Sequence, residues 1–245
     1  MDHQLIDLET IQEFMKETLA KVEKDALVKI AKELELKHGF FIEMLDGKAS
    51  QMSEQDLENL LNQIFATRKR RKKIMELYPL DQWRSGIAQL LDHSMDLQTR
   101  FNDFCRKFDQ IDKNIRIDLA SEILHFTYPG KYWLWCRWIW DEKLNTGALP
   151  LVVTENFELR GKSPGESYMK VGKGIAFVHS VAEMGGFKYI HSSLFGTDVF
   201  LSCVYVIYAY TILRMRMTQE FNNVMPSLIE FSRRLLGVYN IPTAA

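Results

Sequence analysis

Two Glu-x-x-His pairs occur in the chain, Glu35-Leu36-Lys37-His38 and Glu122-Ile123-Leu124-His125. On a helix that spacing places a carboxylate and an imidazole on one face, the arrangement from which di-iron carboxylate bundles build a metal centre. The two further glutamates such a centre needs cannot be assigned, and with six histidines in the chain one such pair is an ordinary coincidence. No metal and no cofactor are therefore expected; an enzyme with an unrecognised site such as a di-iron centre stands as an alternative class. Cys105, Cys136 and Cys203 are widely spaced without a C-x-x-C pattern, and read as buried thiols of a reducing compartment. The glycines of Lys170-Val171-Gly172-Lys173-Gly174 lack the ending of a phosphate-binding loop, so close helix packing is their expected role.

The strongest local electrostatic feature is the run Arg68-Lys69-Arg70-Arg71-Lys72-Lys73. Clustered Lys and Arg bind phosphate backbones by releasing condensed counterions, which points to nucleic acid. An acidic protein surface, or no partner beyond water, would suit the same residues. Six consecutive basic residues cover every side of a helix, so the segment overhangs the core or faces acidic groups. The formal net charge of -1 gives no global attraction to nucleic acid or anionic lipid, and any such binding rests on this patch.

An aromatic block follows later, with Tyr132, Trp133, Trp135, Trp138 and Trp140. Beside Lys131 and Arg137 these rings offer stacking platforms for bases. Tyr132, Trp135 and Trp138 also fall on one side of a helix, and burial against neighbouring helices is the favoured reading.

Upstream of that block, Phe101, Phe104 and Phe108 share one helix side. A short turn follows at Asp112-Lys113-Asn114-Ile115-Arg116, then a helix over 118–126, then Tyr128-Pro129-Gly130-Lys131-Tyr132. This order resembles the hairpin and following segment of the helix-hairpin-helix DNA glycosylase superfamily, an all-helical fold that grips DNA phosphates with hairpin backbone amides and flips a base into a cleft. With Ala120 set on the alanine of that family's hairpin helix, Asn114 and Arg116 take the places of its two hairpin glycines. Asp118 then takes that of its lysine nucleophile, and the catalytic aspartate falls at or next to Cys136. None of those functional residues is retained, so the resemblance implies a glycosylase-like scaffold without glycosylase chemistry. Lys113 and Arg116 in the turn, with Lys131, Arg137 and the basic run, form the candidate nucleic-acid-binding set.

Helices must carry all these residues. From 8 to 36 there is no Gly or Pro, and Leu8, Ile11, Met15, Leu19, Val22, Ala26 and Ile30 recur at a three-to-four-residue step, predicting one long helix that stops near His38-Gly39. Ser53, with Asp56 three residues on, predicts the cap of a second helix with the stripe Leu57, Leu60, Leu61 and Ile64, antiparallel to the first. Shorter helices are predicted over 80–95, 97–108 and 118–126. Between 145 and 163 the chain reads as irregular, with 151–159 a short strand or an ordered loop. Ser163-Pro164-Gly165-Glu166 predicts a helix start by capping box, with the stop at Gly185-Gly186. A buried helix is expected over 199–213, starting from Thr197 or Asp198, and a last one over 227–236.

The expectation is an all-α, multi-helix globular protein: an N-terminal long helical hairpin with a basic end over 1–78, and a helical domain over 79–245 with a buried central helix near the C-terminus, the two forming one domain or two. The uncharged run 199–213 is shorter than the roughly 18–20 residues that cross a bilayer, and the amino terminus enters a charged amphipathic stretch with no apolar leader core. No membrane partner and a cytoplasmic location are expected. The leading functional expectation is a non-catalytic binding protein for nucleic acid, because the basic run and the scaffold resemblance point the same way. The rival is a protein-interaction or assembly factor docking an acidic partner.

Overall fold

A computed structural model describes residues 8–184, 193–216 and 226–239. Among them the chain is all-α, with helices α1 (Leu8–Lys21), α2 (Lys24–Leu45), α3 (Glu54–Gln63), α4 (Arg71–Met75), α5 (Leu80–Leu91), α6 (Leu97–Lys107), α7 (Lys113–Thr127), α8 (Pro164–Met184), α9 (Gly196–Arg216) and α10 (Leu228–Leu235). Short 3-10 turns lie at Ala49–Gln51, Arg68–Arg70 and Leu149–Leu151. The described residues hold no strand; 151–159 is an ordered loop, and an isolated antiparallel bridge joins Asp141 to Thr146.

The helix expected over 8–36 is two helices, and the second runs on through His38-Gly39. The buried Thr18 hydroxyl donates to the Phe14 carbonyl at 2.8 Å, a back-bond that bends helices, and α1 ends three residues later without Gly or Pro. Leu19, counted on the apolar stripe, is 40% exposed, while Thr18 is buried in its place. Gly39 stays inside α2 at a cost of about 1 kcal/mol relative to alanine, an amount offset by burying Phe41 and Leu45 beyond it at ~1.5–3 kcal/mol each. The glycine that ends this region is Gly47, at a φ of 66°.

Two compact units emerge. One comprises Met1–Leu34, Trp138–Phe157 and Gly174–Ala245. In it α9 packs on α1 and α10, with Val199, Phe200, Leu201, Cys203, Val204, Val206 and Ile207 all buried, so the expected central helix is present. α9 is also longer than the uncharged run within it. Gly196–Leu213 forms an 18-residue window of mean hydropathy 1.5, long and apolar enough by composition to cross a membrane, and 61% of that window is buried inside the protein. Ser227 caps α10 by accepting from the Glu230 amide, and Gly237 follows at a φ of 75°. Gly185-Gly186, the expected end of α8, lies outside the described residues.

The other unit comprises Glu35–Arg137 and Glu158–Lys173. Its centre is the packing of α5, α6 and α7. Phe108 stacks on Trp83 with centroids 4.3 Å apart and meets Tyr78 edge-on at 5.2 Å. Gly86 makes room for that stack, since a Cβ there would stand 2.6 Å from Phe108 Cε2. Every residue of α7 from Ile117 to Thr127 is buried. Ser163 caps α8 through the Glu166 amide at 3.2 Å, but the Glu166 carboxylate returns to the Lys162 amide at 2.7 Å rather than to Ser163, so only half of the expected capping box forms.

Candidate nucleic-acid interface

Thr67 sets the geometry of the basic run. After α3 the chain turns at Ile64, and the fully buried Thr67 hydroxyl donates to the carbonyls of Leu61 at 2.6 Å and Ile64 at 3.3 Å. Amides of Thr67 and Arg68 both reach Ile64 O, and Arg70 reaches Thr67 O. These bonds fold 64–70 into tight turns, so the stripe of α3 ends at Ile64 instead of continuing into the charges. The apolar pattern resumes only at the buried Ile74 of α4. Each basic side chain is thereby released from a core position that would carry a heavy desolvation penalty.

The six cations then sort themselves, with Arg68 half-buried and outside the hollow lined by the other five. Arg71 is half-buried, donating to Glu58 Oε1 at 3.0 Å and to the Arg68 carbonyl at 3.1 Å. Lys69, Arg70, Lys72 and Lys73 are exposed, with no carboxylate among the described residues within salt-bridge distance. Lys69 to Lys73 line one hollow of 320 Å³. Such a concave, one-sign surface raises the local concentration of anions.

The other four candidates lie elsewhere in this unit and do not line that hollow. Lys113 and Arg116 stand in the first two turns of α7, which begins at Lys113 rather than after the expected turn, capped by Asp112 accepting from the Asn114 amide. Arg116 is half-buried over the Phe108 carbonyl. Lys131 is exposed and sits over the Tyr128 ring, 5.6 Å from its centroid. Arg137 is exposed, and its amide donates to Asp118 Oδ1 at 3.0 Å.

The aromatic segment is buried as expected, but it is not helical. Tyr132, Trp135, Trp138 and Trp140 are all under a tenth exposed, on irregular backbone. Within the second unit, polar side chains of α7 replace the missing helical hydrogen bonds. Asp118 accepts from Arg137 N, Ser121 accepts from Trp135 N at 2.6 Å, and His125 Nδ1 donates to the Tyr132 carbonyl at 2.7 Å. Their spacing puts them on one face of α7, which serves as a docking strip for backbone.

The same strip accounts for the Glu-x-x-His pairs. Glu122 accepts from Lys37 Nζ at 2.7 Å with both side chains almost wholly buried, and the Cys136 thiol lies 3.8 Å from its other oxygen. Burial pushes the Glu122 carboxyl up, against the pull of Lys37. Lys37 also stands over the Phe126 ring at 4.0 Å. His38 Nδ1 donates to the Phe126 carbonyl at 2.7 Å. The pairs therefore lie on adjoining helices α2 and α7, with the Lys37 ammonium against the Glu122 carboxylate. No group of three metal-ligating side chains occurs among the described residues.

A second polar cluster surrounds Arg100, which is 3% exposed. It donates to the Leu90 carbonyl at 2.8 Å and to the Tyr132 hydroxyl at 2.5 Å. A guanidinium can only donate, so the Tyr132 proton is left for His93 Nδ1, 2.8 Å away. Desolvation first, then the Lys131 and Arg100 charges, hold the His93 pKa below its ordinary value.

No family model, no curated protein and no solved structure matches the chain. One surface residue escaped the sequence reading: Phe65, 44% exposed at the turn before the basic run. Helical spacing gives no signal for it: Phe65 stands four residues after Leu61, a step that stays on the apolar side, and it is exposed because the helix ends at Gln63 and the chain turns at Ile64.

Proposed function

We propose that this chain is a non-catalytic binding protein whose Lys69–Lys73 surface takes the phosphate backbone of a nucleic acid. One observation carries the reading. Lys69, Arg70, Lys72 and Lys73 are exposed, line one hollow, and have no carboxylate among the described residues at ion-pair distance. Cations left uncompensated at a concave surface attract a polyanion and release its counterions on contact. In sequence the order of features from Phe101 to Tyr132 resembles the helix-hairpin-helix glycosylases, but Asn114 and Arg116 lie in the first turn of α7 and not in a hairpin turn, so the reading rests on the basic run.

Salt dependence tests it. Binding of a labelled oligonucleotide is followed by fluorescence anisotropy from roughly 50 to 200 mM salt, for the native protein and for the variant carrying Lys69→Gln, Arg70→Gln, Lys72→Gln and Lys73→Gln. Each phosphate contact removed flattens the slope of log K against log salt by about 0.9 on a duplex and about 0.7 on a single strand. The variant is expected to bind weakly with a much flatter slope. A native slope near zero, or one that the four substitutions leave unchanged, rules the reading out.

A further inference from the structure

Phe65 is 44% exposed on the turn that leads into the basic run, and no other ring contacts it among the described residues. A solvated phenyl ring costs apolar exposure, and Thr67, two residues on, is locked inside by two hydrogen bonds. The turn thus holds Phe65 out while it holds Thr67 in. Lys69 is the fourth residue after Phe65, and four steps at the ~2 Å rise per residue of tight turns span about 8 Å. An exposed aromatic ring therefore stands a short length of chain ahead of the uncompensated cations, outside the hollow that they line.

That juxtaposition selects among nucleic acids. Paired bases in a duplex are stacked on one another, and a ring reaches their faces only by unstacking them. Unpaired bases offer free faces, and base–aromatic stacking is tolerant of sequence. The basic element is also ill suited to reading a duplex groove. α4 has five residues, less than a turn and a half over about 7.5 Å, and so lays few side chains along a groove.

We infer that the site takes single-stranded nucleic acid, with an unpaired base stacked on Phe65 and the neighbouring phosphates on Lys69, Arg70, Lys72 and Lys73. The inference rests on the polyanion reading above and narrows it.

Three ligands of equal length separate the two: a labelled oligothymidylate, its duplex with oligoadenylate, and an abasic strand with the same phosphates. They are measured by anisotropy at one salt concentration against the native protein, Phe65→Ala, Phe65→Trp and the four-charge variant. The single strand is expected to bind at least about tenfold tighter than the duplex or the abasic strand. Phe65→Ala should lose about 5- to 150-fold on the single strand alone, the range for one lost stack. Phe65→Trp should restore it. Equal binding of all three ligands with no effect of Phe65→Ala overturns the single-strand inference, while loss of that binding in the four-charge variant leaves the polyanion reading standing. If no ligand binds, both are overturned.

Discussion

Arg71 and Glu58 are joined by a 3.0 Å hydrogen-bonded ion pair between α4 and α3, and this pair divides the basic run into one structural cation and several available ones. Both side chains are about one-third exposed, so the pair contributes at most ~1 kcal/mol to stability. Its larger consequence is for binding.

The first prediction follows from that division. Arg71→Gln should leave the salt slope of single-strand binding nearly unchanged, whereas Lys72→Gln should flatten it by about 0.7. Glu58→Gln removes a nearby negative charge and frees Arg71, so affinity should rise. Equal effects of Arg71→Gln and Lys72→Gln would contradict the sorting.

Lys37 and Glu122 make the second case, because their pair is buried. Lys37→Met strands a carboxylate in the core and should lower the free energy of unfolding by about 3–5 kcal/mol in a urea titration. Since burial raises the Glu122 carboxyl, the single variant should regain stability as the pH falls through that raised value and lose it as the pH rises. Adding Glu122→Leu should recover most of the loss and remove the pH dependence.

His93 provides a pH test without unfolding. Its folded pKa is depressed, so the neutral ring's contribution to stability is present above the unfolded value near 6.5 and is lost as the pH falls through the folded one. Ring-proton NMR should place the midpoint below 6.5 in the native protein. Lys131→Ala removes one of the repelling charges, and the midpoint should move up toward the unperturbed value.

Gly86 is a packing test. A methyl group there would stand 2.6 Å from Phe108, whose ring is already stacked on Trp83. Gly86→Ala should destabilise the protein by about 1–3 kcal/mol, although alanine is the better helix former. A raised melting temperature would show that the ring has somewhere else to go.

The thiols should be inert. Burial pushes Cys105 and Cys203 up to about 12, so neither forms thiolate near neutral pH. A disulfide reagent applied near pH 8, close to the unperturbed thiol pKa, should label neither until denaturant is added. Rapid labelling of the native protein would mean that the core around them opens.

Much of the fold was legible in local pattern. Leu57, Leu60, Leu61 and Ile64 are all buried, Ser53 and Asp56 exchange both bonds of a capping box, and Ser227 caps the last helix. Gly172 does not bring two helices together as expected: it faces Trp133 on irregular backbone, where a Cβ would stand 3.4 Å from the indole. The site was legible in its charges but not in its geometry. Arg68 to Lys73 are consecutive, and nothing local says which of them meets Glu58.

Other features were hidden because their cause is distant in sequence. α7 was read as one short helix among several, since Asp118, Ser121, Glu122, His125 and Thr127 look like solvent residues. Thr127 turns its hydroxyl back to the Ile123 carbonyl of its own helix, and each of the other four meets a partner from outside α7, as Glu122 meets Lys37 from 85 residues away. The aromatic segment shares the helical spacing of Tyr132, Trp135 and Trp138, yet the side chains of α7 claim its backbone amides and carbonyl first.

By itself, then, the amino-acid order determined the class of the fold, most helix starts and the location of the charge, because periodicity, caps and runs act over three or four residues. Tertiary structure alone decided that Glu122 meets the Lys37 ammonium, that Arg71 is tied to Glu58, and that Phe65 is exposed while Thr67 is buried. Those outcomes depend on which groups are brought together after the chain is compact, when burial makes an unpaired charge costly enough to choose its partner.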